Sequence, residues 1–178
     1  MEAKKGFLVN NKLSFSQLNT WINSKNDYIK YYINGEPFIS NKYIEWGNII
    51  HKKIENGELD IFKLEESEKY VEREIEIAGR KIIINGYIDS YEKGKLLDYK
   101  TSQKEWTQKK VDDHLQLDFY KLLLDEELKI AIVNIVLNNS EIMYIKNFVK
   151  KSENTEKLLK KIEEFIIWND NYIKNYEK

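Results

Sequence analysis

The chain contains no cysteine. That excludes a disulfide framework, a thiolate nucleophile, a cysteine-ligated zinc finger and an iron–sulfur cluster. A single proline, Pro37, argues against Pro-rich linkers and tails. No apolar run approaches the ~20 residues that a transmembrane helix needs, and 33% of the residues are charged, so no membrane association is expected. The start of the chain has Lys4 and Lys5 before a short apolar stretch, too short for a secretory signal. A cytoplasmic protein is therefore expected. An excess of one charge is missing too: 29 basic against 30 acidic residues give a net charge of −1. The molecule has no global field to draw in a polyanion, so any such site must arise from local clustering.

What is present is material for one folded domain. At ~100–200 residues per domain, the 178 residues read as a single unit, 1–178. It has a helical part at about 13–57, a core at about 68–150 and a C-terminal helix at about 152–177. Ser14 and Gln17 form a capping box, and Leu13 can staple Leu18. Leu18, Trp21, Ile22, Tyr28, Ile29 and Tyr32 then follow helical spacing. Asn34-Gly35-Glu36-Pro37 breaks the pattern, and a second helix is expected from about Lys42 to Glu55. The period then changes: strands are expected at Tyr70–Ile77, Lys81–Tyr91 and Lys95–Thr101. Helical spacing returns from Gln108 to about Glu127. Two more strands, Ile130–Leu137 and Glu141–Val149, precede the last helix. This order predicts an α/β (α+β) sandwich with a mixed central sheet flanked by helices.

The informative segment runs from Gly86 to Thr101. If Lys93-Gly94 is a two-residue turn, Glu92 faces Lys95, Tyr91 faces Leu96, Ser90 faces Leu97 and Asp89 faces Asp98. Opposed residues have Cβ atoms about 4.5–5.5 Å apart. Two carboxylates so placed repel each other unless a divalent cation lies between them. Lys100, two residues past Asp98, shares its face. Two acids and an ammonium group are the equipment of phosphodiester hydrolysis: Mg²⁺ takes one or two carboxylates, waters and substrate phosphate, and a lysine can orient water or stabilise developing charge. A solvated hairpin face is the competing reading. Against it, Ile88, Leu96 and Leu97 flank the acids, where uncompensated charge is costly.

Three further places attract notice. His51 lies four residues after Gly47 on one helix face, and a mid-helix glycine costs ~1 kcal/mol against alanine, so close approach to that helix is expected. His51 is a candidate third ligand, and an imidazole suits Mn²⁺ better than Mg²⁺. Gln116 and Tyr120, at i and i+4, are able to donate to phosphate or water. Lys104, Lys109, Lys110 and Trp106 form a basic and aromatic cluster that could hold a backbone and stack a base. His114 reads as a helix-face residue without a role.

Taken together, Gly47-x3-His51, Gly86-Tyr87-Ile88-Asp89, Asp98-Tyr99-Lys100-Thr101 and Gln116-x3-Tyr120 resemble, in order and spacing, the RecB-type branch of the PD-(D/E)XK nucleases. That branch includes the RecB and AddB nuclease domains and CRISPR-associated RecB-like exonucleases. The resemblance covers about Leu13 to Tyr120. It implies a restriction-endonuclease-like fold and a metal-dependent deoxyribonuclease, an exonuclease on single-stranded DNA or duplex ends. It implies that His51, Asp89, Asp98 and the backbone carbonyl of Tyr99 bind Mg²⁺ or Mn²⁺. Lys100 would be the catalytic lysine, with Gln116 and Tyr120 as an accessory pair. Many members clamp an iron–sulfur cluster with four cysteines; this chain cannot, and no cluster is expected. Members often work with helicases, so a helicase or a recombination or CRISPR partner is implied. The alternative is a non-cleaving module that binds nucleic acid or protein on the same fold.

Overall fold

The structure is a computed structural model that describes residues 10–176; residues 1–9, on which the expectation about a secretory signal rests, lie outside it. Six strands form one mixed sheet: β1 (Lys12–Ser14), β2 (Glu66–Ile77), β3 (Arg80–Glu92), β4 (Lys95–Ser102), β5 (Lys129–Asn138) and β6 (Glu141–Val149). Their order is β1-β3-β4-β5-β6, with β2 also paired to β3. The helices are α1 (Phe15–Asn23), α2 (Lys25–Tyr28), α3 (Lys42–Glu55), α4 (Gln108–Asp112), α5 (Leu115–Leu124) and α6 (Thr155–Tyr176). The sheet is restriction-endonuclease-like, as the sequence predicts. Among the described residues, no helix is long and apolar enough to cross a membrane.

The chain divides into two compact units. Of the described residues, the first takes 10–38, 72–86 and 154–176. In it the capping box forms as expected: the Ser14 N–H donates to Gln17 Oε1 at 2.8 Å, and the Gln17 N–H donates to Ser14 Oγ at 3.3 Å. Leu13 and Leu18 are both fully buried. Leu13, though, sits on β1, paired in parallel with Ile84 of β3. The helix expected to continue to Tyr32 is interrupted. Ser24 takes an extended conformation, its side chain caps α2 at the Asp27 N–H, and Ile29–Ile33 finishes as a π-helical turn. The apolar spacing survives because the break keeps Trp21 and Tyr28 on Phe165, with ring centroids 5.5 and 5.3 Å away.

The second unit takes residues 39–71 and 87–153. Gly94, at φ +78°, makes the tight turn between β3 and β4. β4 and β5 run parallel, Asp98 beside Ile132 and Lys100 beside Asn134. Residues 132–137 of β5 are buried on both faces, which explains its nearly unbroken apolar run. α3 covers one face of these strands. Ile50 and Ile54 pack with Tyr99, Val133, Ile135 and Leu137 in one buried cluster.

One helix expected here is two. The segment from Gln108 breaks after Asp112, and His114 takes an extended conformation ahead of α5. The Asp112 carbonyl accepts from Lys150 Nζ at 2.6 Å, and the Asp112 carboxylate accepts from the Lys151 N–H at 2.8 Å. Partners distant in sequence thus satisfy the end of α4, which frees α5 to take its own direction. α5 then stops at Leu124, because Asp125 adopts φ +54°. β2 begins at Glu66, four residues earlier than periodicity suggests.

Candidate active site

The β3–β4 ladder follows the expected register, with Glu92 on Lys95, Tyr91 on Leu96 and Ser90 on Leu97. It stops there, one step before the two acids. In a continued ladder the Tyr99 N–H would go to the backbone of β3. Instead it donates to Asp89 Oδ2 at 2.7 Å. The acid on one strand captures the donor of the other, and the strands part where Asp89 and Asp98 stand. Lys100 Nζ donates to Asp98 Oδ1 at 2.9 Å. The Asp98 side chain is fully buried and that of Lys100 is 22% exposed, so the ammonium group closes the mouth of the notch.

α3 supplies the imidazole. Gly47 allows the approach: a Cβ there would stand 2.9 Å from Thr101 Oγ1 on β4. One turn further on, the His51 ring meets Tyr99 edge-on at 6.4 Å. Burial lowers the pKa of His51, and Lys100 lowers it further; Asp98, the Tyr99 backbone and Glu55 oppose. The ring is therefore neutral near pH 7 and keeps a lone pair to donate. A small cavity of about 10 Å³ beside it is lined by residues that include His51, Glu68, Asp89 and Tyr99.

Charge in this notch is frustrated. Burial, followed by the neighbouring Asp98, pushes the Asp89 carboxyl up to about 7, with Lys100 pulling the other way. Asp98 Oδ2 is buried and has no hydrogen-bond partner among the described residues. A buried carboxylate oxygen left orphaned costs ~1–3 kcal/mol or more. Among the described residues no three His, Cys, Asp or Glu side chains are gathered closely enough to hold a metal ion as they stand; the two carboxylates offer oxygen donors of the kind a hard divalent cation takes.

Gln116 and Tyr120 enter differently from expectation. Gln116 Nε2 donates to the Tyr120 hydroxyl at 2.6 Å, and that hydroxyl donates to the Tyr87 carbonyl at 3.1 Å. Tyr120 is buried, and burial followed by Asp98 and Asp89 pushes its pKa well above the phenol range. The pair thus holds β3 two residues ahead of Asp89, with the hydroxyl proton committed.

A profile described as the PD-(D/E)XK nuclease superfamily matches residues 45–174. The chain belongs to this superfamily. The PD-(D/E)XK match contains every candidate residue above. Two solved structures share the fold. The protein SSO0001 aligns over 89% of this chain and 76% of its own, at 19% identity and a TM-score of 0.60. A candidate exonuclease from Eubacterium rectale aligns over 94% of this chain and 83% of its own, at 13% identity and a TM-score of 0.64. No curated protein matches. Membership of the PD-(D/E)XK nucleases implies a phosphodiester hydrolase with a nucleic-acid substrate, and enzymes of this class use divalent metals.

Three residues around this candidate site escape a reading of the sequence. Asn134, fully buried on β5, accepts from the Trp106 N–H at 2.8 Å and donates to the Lys100 carbonyl at 3.0 Å and to Ser102 Oγ at 2.8 Å. It pins the end of β4 that carries Lys100. Its signal was visible as a lone amide in an apolar strand. His114 meets the Trp106 ring edge-on at 5.1 Å and bonds to Gln116; burial, then Lys100, lowers its pKa to about 4. It is part of the network behind the site and not a bystander on a helix face. Glu68 lines the small cavity and adopts φ +52°, a strained conformation for a non-glycine residue; nothing in its sequence context marks it. One expectation fails. Trp106 is 7% exposed with Lys110 Nζ 3.9 Å above its ring, so burial removes it as a platform for a base.

Proposed function

We propose that this chain is a metal-dependent DNA exonuclease of the RecB-type branch, acting on single strands or duplex ends with Mg²⁺ or Mn²⁺. The observation that carries the reading is the notch where the β3–β4 ladder stops, with a buried Asp98 oxygen lacking a partner beside Asp89. Asp89, Asp98, His51 and the Tyr99 carbonyl would hold the ion. When bound, it polarises the scissile phosphate and makes water a stronger nucleophile. Lys100, through Nζ, orients the attacking water and neutralises charge that builds on the phosphoryl oxygens. The Tyr99 N–H and the Gln116–Tyr120–Tyr87 bonds keep Asp89 in place. Glu68 adds a carboxylate at the rim, and Asn134 keeps Lys100 in register.

The test is direct. End-labelled single- and double-stranded oligonucleotides are incubated with the protein and Mg²⁺, Mn²⁺ or EDTA. Cleavage is expected with either metal, with Mn²⁺ at least as effective, and none in EDTA. Lys100→Ala is expected to lose cleavage by about 10²-fold or more while binding the oligonucleotide nearly as well. Full cleavage in excess EDTA would sink the metal reading, and normal cleavage by Lys100→Ala would sink the assignment of the lysine.

A further inference from the structure

Beside the notch lies a larger recess that the catalytic reading does not use. It has a volume of about 190 Å³ and is lined by Tyr43 and Trp46 of α3, by Thr101, Ser102 and Gln103 at the end of β4, and by Leu137 of β5. Its walls are of two kinds. Tyr43, 47% exposed, presents a ring face, and the half-buried Trp46, packed against the core cluster, meets it edge-to-face with centroids 5.4 Å apart. The Thr101 hydroxyl faces them from β4, with the Gln103 amide just past its end; the Ser102 hydroxyl lines the recess but is already bonded to Asn134 and to the Lys104 carbonyl. Lys42 Nζ lies 5.1 and 5.6 Å from the two ring centroids and brings a positive charge to the rim. The contact of Gly47 with Thr101 holds the two walls together: a Cβ at Gly47 would press α3 away from β4.

The recess and the notch share their elements. Trp46 precedes His51 by five residues on α3, about 7.5 Å along a helix. Thr101 follows Asp98 by three residues on β4, about 10 Å along a strand. That is the reach of about two to three stacked nucleotides at 3.4 Å each, and fewer in stretched strand. Three residues apart, Thr101 and Asp98 lie on opposite faces of β4, and α3, which carries both His51 and the aromatic wall of the recess, is the element that joins the two places.

We propose that the recess binds one unpaired nucleobase of the substrate, close to the phosphate that is cut. The base stacks on the exposed Tyr43 ring with Trp46 as the side wall, its polar edge meets Gln103 and the Thr101 hydroxyl, and Lys42 takes an adjacent phosphate. A ring face suits every base, so the site tolerates sequence, while the apolar walls demand that the base be free of its partner strand. A paired base must first leave the stack, which costs a few kcal/mol. The recess therefore selects frayed or single-stranded ends. This inference rests on the nuclease reading.

The experiment uses the full chain carrying Lys100→Ala, which binds without cutting, and fluorescein-labelled single-stranded oligonucleotides read by anisotropy. Adding Tyr43→Ala or Trp46→Leu is expected to weaken binding roughly tenfold. Tyr43 is exposed, so its variant keeps the fold even if Trp46→Leu does not, and thermal melting checks both. A series with one abasic site moved along the oligonucleotide is expected to show one or two positions where binding falls as much. At those positions the Tyr43→Ala protein should lose nothing further. If the Lys100→Ala protein binds no oligonucleotide, both this inference and the nuclease reading fall. If it binds, and neither aromatic variant nor any abasic position matters, this inference alone is overturned. Loss on Tyr43→Ala that is equal at every abasic position also overturns it, since the recess then serves another partner, such as a protein side chain.

Discussion

Asp89→Asn should make the metal-free protein more stable, and only at high pH. The perturbation removes one charge and keeps the acceptor for the Tyr99 N–H, because an amide oxygen can take the place of Oδ2. The Asp89 carboxyl is raised from 3.8 to about 7, by burial first and then by Asp98. In the folded state it holds its proton more tightly than in the unfolded state, so ionisation opposes folding. That cost is absent below the unfolded value near pH 4, grows as pH rises to about 7 and is complete above it. Roughly three units at ~1.36 kcal/mol each set a ceiling of about 4 kcal/mol. Part of that shift comes from the neighbouring Asp98 charge and not from burial alone, so about 2 kcal/mol is the working figure. For a chain of this length that is ~4–8 °C in Tm, from ~2–4 °C per kcal/mol. The assay is thermal melting of wild type and Asp89→Asn in EDTA at pH 5 and pH 8, then with Mn²⁺. The variant should melt several degrees higher at pH 8, with well under half that gain at pH 5. Mn²⁺ should raise the wild type and barely move the variant. A variant that melts at or below wild type at pH 8, or gains equally at both pH values, would refute the reasoning.

Three other substitutions probe the supports. Asn134→Ala leaves the Trp106 N–H and the Lys100 carbonyl without their amide partner; a loss of about 2–4 kcal/mol in urea unfolding is expected, and a loss under 1 would show that water replaces the amide. Gly47→Ala should forfeit the ~1 kcal/mol that alanine normally gains in a helix, because its Cβ meets Thr101 Oγ1. In a Thr101→Ala background the same change should become stabilising, and additivity of the two would deny the contact. Tyr120→Phe removes a hydroxyl bonded to Gln116 and the Tyr87 carbonyl. It should cost about 1–2 kcal/mol and reduce cleavage less than Lys100→Ala does; an equal loss of cleavage would move Tyr120 into direct contact with substrate.

Local rules carried much of this protein in its sequence. The turn at Lys93-Gly94 sets which residues of β3 and β4 face each other, so the approach of Asp89 to Asp98 and the position of Lys100 follow from counting outward from Gly94. The Ser14–Gln17 box and the His51 face of α3 are equally local, since each depends on residues within about one helical turn. The fold class follows from the change of period between helices and strands. Distant partners decided the rest. The ladder stops before the acids because a carboxylate outcompetes a carbonyl for the Tyr99 N–H, a contest invisible to any alternation pattern. The helix after Gln108 breaks because Lys150, Lys151 and Ser152 satisfy the end of α4 from some forty residues away. Trp106 looked like an exposed platform and is buried, its ring edge-on to His114 and beneath Lys110. Trp46 of α3 packs partly against the core while Tyr43, one turn earlier, stands exposed. Periodicity tells which residues share a face of an element; which face is covered, and by what, depends on neighbours that only the folded chain brings together.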